Sequence, residues 1–291
     1  MRVFDHVCPT SVEEAVSILG MHRGEAKVLA GGTDLLNLMR DGKISPKLIV
    51  SLKNIREFRD IKKHDGGVSI GAFCTLEDCA RSELIGGKYS ILYDAFQQMG
   101  SLQVRSRGTI GGNICNASPA ADTAAPLMVL GAETIIQGAQ GERKKPVVDF
   151  FTGPGETVLE PDEVLTTITL PKIKGKGAGL YLKLGRRNAM EIAIVGVAVY
   201  VILEPSNKRI RDMSIAISSA APKPLRVYEA ESILKGQSPE KQLIEEAASI
   251  VSRTSDPITD VRASRGYRRE MLRVLTIRAI TDIVFGLTGG S

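Results

Sequence analysis

Apolar positions change period along the chain, and the changes predict a succession of short mixed elements. Val12, Ala15, Val16, Ile18 and Leu19 recur at helical spacing after Thr10 and Ser11, whose hydroxyls suit an N-cap, and Gly20 is the expected stop. Lys27–Ala30 reads as a strand running into Gly31-Gly32-Thr33-Asp34, Leu35–Arg40 as a helix ending at Gly42, and Pro46–Leu52 as a second strand. Arg59–Lys63 and Val68–Ala72 flank the turn signal His64-Asp-Gly-Gly67, which predicts a hairpin. Thr75 and Asp78 have capping-box spacing and open a helix toward Ser82.

A longer helix is expected from Ser90 to Met99, stopped by Gly100, and the small-residue stretch Ser101–Asp122 reads as mostly turn and loop, with a helix starting after Pro119. Ala124–Leu130 looks helical, whereas Glu133–Gln137, Pro146–Phe150 and Glu163–Leu170 look like strands. Lys172–Gly179 combines charge with three glycines and is the linker candidate. After it come strand-like Tyr181–Gly185, the β-branched run Ile192–Glu204, a turn at Pro205–Lys208, and Arg211–Ser219. Helical stretches Val227–Leu234, Pro239–Val251 and Tyr267–Phe285 close the chain. The order predicts an α+β protein with a first lobe over 1–56, a second over 57–175 and a carboxy-terminal domain over 176–291.

Composition narrows the function classes. The 291 residues are 43% apolar and 24% charged, an ordinary globular balance. No apolar run is long enough to span a bilayer and the first residues lack the apolar core of a signal peptide, so a cytoplasmic protein is expected. The excess of basic over acidic residues is 38 − 33 = 5, spread along the chain, which does not imply nucleic-acid binding. Cys8, Cys74, Cys79 and Cys115 form no Cys-x-x-Cys pair, and only His6 of the three histidines lies near one, so this chain is not expected to build a metal or iron–sulfur site.

The chemistry is carried by two glycine loops. Ala30-Gly-Gly-Thr-Asp34 follows a strand, and adjacent glycines let a backbone approach a ligand with its N–H groups turned inward, which can hold a diphosphate without a lysine. Neither Gly-x-Gly-x-x-Gly nor a P-loop is present. Taken alone, this loop is better explained as a tight strand-to-helix turn, because Gly-Gly turns are common. The second loop, Gly108-Thr-Ile-Gly-Gly-Asn113, continues into Asn116-Ala-Ser-Pro-Ala-Ala-Asp122, and the pair suggests a two-sided cradle for an extended nucleotide. An ionised Asp122 only accepts hydrogen bonds, which suits ribose or ribityl hydroxyls.

Ala30-Gly-Gly-Thr-Asp34, Thr109-Ile-Gly-Gly-Asn113, Ala117-Ser-Pro-Ala-Ala-Asp122 and Phe151-Thr-Gly-Pro-Gly-Glu156, in this order, resemble the FAD-binding medium subunit of the molybdenum hydroxylases, the family of xanthine dehydrogenase and aerobic carbon monoxide dehydrogenase. Asp260-Val-Arg-Ala-Ser-Arg-Gly-Tyr-Arg-Arg269 extends the resemblance to the last lobe. It implies a two-lobed flavin domain of the vanillyl-alcohol-oxidase type, followed by an α+β domain with a small antiparallel sheet and helices. By the same resemblance, Lys27, Val28, Leu29, Ala30, Gly31, Gly32, Thr33 and Asp34 wrap the FAD diphosphate, and Thr109, Gly111, Gly112 and Asn113 face it. Ser118 and Asp122 then bind ribityl or ribose oxygens, Leu165 lies near the adenine or the flavin edge, Lys183 near the isoalloxazine, and Ile192 against the flavin face. For Leu165 and Ile192 ordinary core packing is an open alternative, and for Lys183 a solvated strand lysine.

The resemblance implies an electron-transfer subunit with no catalytic side chain of its own. Its partners would be a molybdopterin-binding large subunit and a small subunit with two [2Fe-2S] clusters, and NAD or another acceptor would take the electrons. The wording of Gly112–Asn116 and Thr152–Gly155 favours a xanthine, purine or related N-heterocycle; carbon monoxide or aldehyde is the alternative within the family. The branch that reduces aromatic thioesters carries an extra cysteine-bearing loop, and the scattered Cys74, Cys79 and Cys115 do not supply it. Outside the family, a self-sufficient flavin oxidase or a nucleotide-binding regulatory module remains open.

Overall fold

The computed structural model describes residues 2–173, 175–187, 190–204 and 209–288. The first part contains β1 (Asp5–Val7), α1 (Val12–Met21), β2 (Ala26–Leu29), α2 (Leu35–Arg40) and β3 (Leu48–Ser51). These make a parallel sheet in the order β1-β3-β2, with Ile49 paired to His6 on one side and to Lys27 on the other. As the central strand, β3 is buried along its whole length, which explains its continuous apolar run. Ser11 caps α1 by accepting from the Glu14 N–H, but the helix passes Gly20 and ends at His22. Tertiary packing of Ala15, Val16 and Leu19 outweighs one glycine late in the helix.

The second part comprises β4 (Ile61–His64), β5 (Gly67–Gly71), α3 (Leu76–Arg81), α4 (Glu83–Gly86), α5 (Ser90–Gln97), α6 (Leu102–Arg105), α7 (Ile110–Cys115) and α8 (Ala124–Val129). It continues with β6 (Glu133–Gly138), β7 (Gly141–Pro146), β8 (Phe151–Gly153), β9 (Glu156–Thr157) and β10 (Val164–Leu170). Five strands form an antiparallel sheet in the order β4-β5-β10-β6-β7, and β8 and β9 pair separately. The Thr75–Asp78 capping box forms with both hydrogen bonds, Asp78 replacing the commoner Glu.

Three local expectations are corrected. Pro146–Phe150 is not a strand: Val147–Asp149 turns as a 3-10 helix, and the strand is the polar run before it, an edge strand that can leave its charges in water. Ser101–Asp122 holds more helix than the expected turn and loop, because Ser101 and Thr109 accept from the Val104 and Gly112 N–H groups and start α6 and α7. The helix expected after Pro119 begins only at Ala124.

The carboxy-terminal part holds β11 (Gly177–Leu184), β12 (Val195–Leu203), β13 (Ile210–Ser218) and β14 (Leu225–Arg226), an antiparallel sheet in that order. It is followed by α9 (Tyr228–Leu234), α10 (Lys241–Thr254) and α11 (Arg265–Thr288). Gly177–Gly179, expected in a linker, belongs to β11, and the turn expected at 205–208 lies outside the described residues. β12 is buried on both faces. Val195, Val197, Val199 and Val201 pack into a core with α9–α11, whereas Ala198 and Tyr200 pack into the core of the preceding domain. The β-branched run therefore lacks polar alternation because helices cover one face and the preceding domain covers the other.

The Asp260–Arg269 segment is an ionic clamp. Arg268 is 1% exposed inside α11, and its guanidinium donates to Asp260 at 2.7 Å and to the carbonyls of Ile194 and Ser219. Burial alone would push the Asp260 carboxyl up, but hydrogen bonds from Arg262, Arg268 and the Ala263 N–H hold it well below the usual carboxylate range. A lowered folded-state pKa contributes stability that is complete above the ordinary value of about 4 and is lost as pH falls toward the folded one. Asp260→Asn should cost about 3–5 kcal/mol at neutral pH by leaving the Arg268 charge unpaired. Denaturant titrations should show the gap between wild type and variant narrowing as the pH drops from 6 to 3; a constant gap would contradict the clamp.

A candidate cofactor cleft between two glycine loops

The strand β2 ends at Leu29, and Ala30–Asp34 turns into α2. Among the described residues, the N–H groups of Gly31, Gly32, Thr33 and Asp34 find no acceptor, although the four residues are consecutive and all border one cavity. Orphan donors in a row are costly unless water or an anion accepts from them, and a run of this kind forms an anion-binding concavity. A Cβ on Gly31 would overlap the Arg107 carbonyl and lie 2.7 Å from the Gly108 Cα, so this glycine lets the two loops touch.

The second loop is positioned differently, by pairing most of its own backbone donors. Thr75 and Thr109 form an antiparallel bridge, the Gly111 N–H donates to the Ala72 carbonyl at 2.9 Å, and the Gly112 N–H to Thr109 Oγ1 at 3.0 Å. Thr123, fully buried, donates from Oγ1 to Asn113 Oδ1 at 2.6 Å, leaving the Asn113 amide N–H groups without a described partner. Ser118 Oγ accepts from the Ala120 N–H and holds the turn that leads to Asp122.

The cavity between the loops measures about 670 Å³, in the range of cofactor sites. It is bordered by Lys27, Val28, Ala30–Asp34, Thr109, Gly111, Gly112, Asn113, Ser118, Asp122, Leu165 and Ile192, which brings together nearly all the residues singled out from sequence. Leu29 and Lys183 do not border it. Leu165 is 3% exposed on β10, while Ile192 is 60% exposed at the rim.

Lys183 is not a solvated strand lysine. Its ammonium donates to Asp122 Oδ2 at 2.7 Å and to the Gln98 carbonyl at 3.1 Å, and both side chains of the pair are more than nine-tenths buried. Tyr181, fully buried one strand period away, donates to Asp122 Oδ1 at 2.8 Å. Burial pushes the Asp122 carboxyl up, and the Lys183 charge and the Tyr181 hydroxyl bring it only part of the way back. Burial and the Asp122 charge together push the Tyr181 phenol well up, so it stays protonated as a donor. Sequence reasoning missed Tyr181 and Thr123. Tyr181 had a readable signal, since residues two apart on a strand share a face; Thr123 had none, because only the course of the turn over 116–122 brings it back to Asn113.

Residues 2–173 match the family described as FAD binding domain in molybdopterin dehydrogenase, and residues 180–283 that described as CO dehydrogenase flavoprotein C-terminal domain. The chain belongs to the FAD-binding medium chains of the molybdenum hydroxylases. It is therefore an FAD-binding oxidoreductase subunit. The glyceraldehyde dehydrogenase medium chain of Sulfolobus acidocaldarius is 33% identical, the alignment covering 96% of this chain and 98% of that one. The xanthine dehydrogenase FAD-binding subunit of Escherichia coli O157:H7 is 30% identical over 96% and 95%. Among solved structures, the carbon monoxide dehydrogenase of Hydrogenophaga pseudoflava that lacks the Mo-pyranopterin moiety superposes with a TM-score of 0.94 at 30% identity, over 98% of each chain. Among the described residues no helix is long and apolar enough to cross a membrane, and no group of residues could hold a metal ion.

The residues present fit FAD: orphan N–H donors and an amide for the diphosphate, hydroxyls for the polar chain, and an apolar wall at Val28, Leu165 and Ile192. A Cβ on Gly112 would come within 2.9 Å of the Thr109 hydroxyl and 3.9 Å of Ala30 Cβ, so Gly112→Val crowds the Thr109 cap and intrudes between the loops. Gly112→Val should give a folded protein that purifies largely free of flavin, whereas Gly31→Ala should lower Tm whether or not flavin is added. Absorbance at the flavin band and circular dichroism separate the two; a fully yellow Gly112→Val protein rejects the cradle.

Lys183→Met should destabilise by about 3–5 kcal/mol, because it strands Asp122 where, among the described residues, no other cation pairs with it. Adding Asp122→Asn should recover part of that loss by removing the orphaned charge, as read from denaturant midpoints.

Proposed function

We propose that this chain is the electron-exit subunit of a three-subunit molybdenum hydroxylase. It would work with a molybdopterin-binding large subunit and an iron–sulfur small subunit. Bound FAD supplies the exchange between single electrons arriving from the small subunit's clusters and a two-electron acceptor, NAD or another oxidant. The observation that carries the reading is the row of unpaired N–H groups at Gly31–Asp34 facing a loop whose backbone is held by its own bonds and which keeps the Asn113 amide N–H groups open, a layout suited to one extended diphosphate. The chain's residues bind, orient and shield. Gly31–Asp34 and Asn113 take the diphosphate, Ser118 and Asp122 lie along the polar chain of the cofactor, and Leu165 and Ile192 give apolar contact to its ring systems.

Noncovalent binding follows from the chemistry of the walls. None of His6, His22 and His64 borders the cavity, and Cys115, which does, has its thiol pushed up to about 12 by burial, far from the thiolate that attack on a flavin requires. A purine or related N-heterocycle is the proposed substrate of the whole complex, supported by the wording of Gly112–Asn116 and Thr152–Gly155. The 33% identity to a glyceraldehyde dehydrogenase subunit favours an aldehyde as the second reading.

Acid precipitation of the purified chain should release its flavin into the supernatant, and the chain alone should oxidise neither purines nor aldehydes. Co-expressed with the two partner subunits, it should form a stable complex whose hydroxylase activity on a panel of both substrate classes names the substrate. Substrate-dependent flavin reduction by the chain alone would reject the electron-exit assignment.

A further inference from the structure

We propose that Thr123 is a positioning residue for the cofactor, setting the Asn113 amide as a hydrogen-bond donor toward the diphosphate. The inference rests on the FAD reading above and adds a residue to it. Asn113 sits on α7, whose backbone is pinned by the Thr109 cap and by the Gly111 N–H on the Ala72 carbonyl, so its Cα has little freedom. What remains free is the last torsion of the amide, which is roughly two-fold and can present either the oxygen or the NH2 group. A diphosphate offers acceptors only. An amide oxygen turned toward it would repel, whereas the NH2 group would donate to a charged partner, a stronger bond than one between neutral groups.

Thr123 decides between the two orientations. Its hydroxyl is fully buried, and among the described residues its acceptor is Asn113 Oδ1, at 2.6 Å. A buried hydroxyl proton without an acceptor is costly, so the Asn113 oxygen is held by Thr123 and the NH2 group is left for the cavity that Asn113 borders. Thr123 itself does not border the cavity, so it acts only through Asn113. Its own place is secured by the next turn of α8, where the Leu127 N–H donates to the Thr123 carbonyl at 3.0 Å.

The test measures the FAD dissociation constant of the full-length apo chain by flavin fluorescence, together with the Tm of the apo chain. Wild-type binding checks the FAD reading by itself; the variants check the inference. Thr123→Val keeps the shape and removes the hydroxyl, and should weaken FAD binding roughly fivefold to tenfold, the size of one hydrogen bond. Thr123→Ser restores the hydroxyl and should bind like wild type. In an Asn113→Ala background, Thr123→Val should add less than about a twofold further loss, because the interaction it serves is already gone. Should Thr123→Val fold poorly, Thr123→Ala is measured in the same cycle with the same expectation. Wild-type affinity in the hydroxyl-free variant, an uncorrected loss in Thr123→Ser, or an undiminished loss in the Asn113→Ala background would each overturn the proposal.

Discussion

A single buried carboxylate joins the two halves of this protein. Asp122 lies at the end of the second glycine loop and receives one hydrogen bond from Tyr181 and one from Lys183, both on the first strand of the carboxy-terminal sheet. A lone charge at this depth would be expensive, so the loop and the sheet are obliged to meet in one geometry. The contact is reinforced nearby: the Ser219 N–H donates to the Pro119 carbonyl at 2.7 Å and Lys223 reaches the Phe151 carbonyl at 2.9 Å. The carboxy-terminal domain thus acts as the back wall that fixes the cofactor loop.

This arrangement explains why both faces of β12 are apolar and why the cleft is split into two kinds of wall. One loop leaves its N–H groups open; the other uses its own hydroxyls and carbonyls to hold its shape. An anion placed between them meets a row of backbone donors on one side and a rigid surface carrying the Asn113 amide on the other, so binding need not pay for much ordering of the protein. The strained backbone at Ala117, with φ of 46°, sits where this second wall turns, and the Gly155 N–H on its carbonyl helps to hold it there.

The proposed reading, in which this subunit places a cofactor and leaves the chemistry to it, accounts for a cleft of cofactor size. It also explains why relatives that act on glyceraldehyde, xanthine and carbon monoxide resemble this chain to nearly the same degree. On the proposed reading, the substrate is met by another subunit, and little in this chain has reason to record it.

Much of the local structure was determined by the sequence alone. Periodicity, the caps at Ser11 and Thr75, and the order of strands and glycines specify elements through interactions between near neighbours, and the two glycine loops stand out because few residue types tolerate such close backbone approach. The short helices α6 and α7 escaped notice because a hydroxyl cap and tertiary support, not propensity, make them. The roles of Lys183, Tyr181 and Thr123 were decided only by the tertiary structure. Each is defined by a partner brought close by packing, Asp122 being about sixty residues before Lys183 and Tyr181, and a hydrogen bond of that span leaves no periodic trace in the chain.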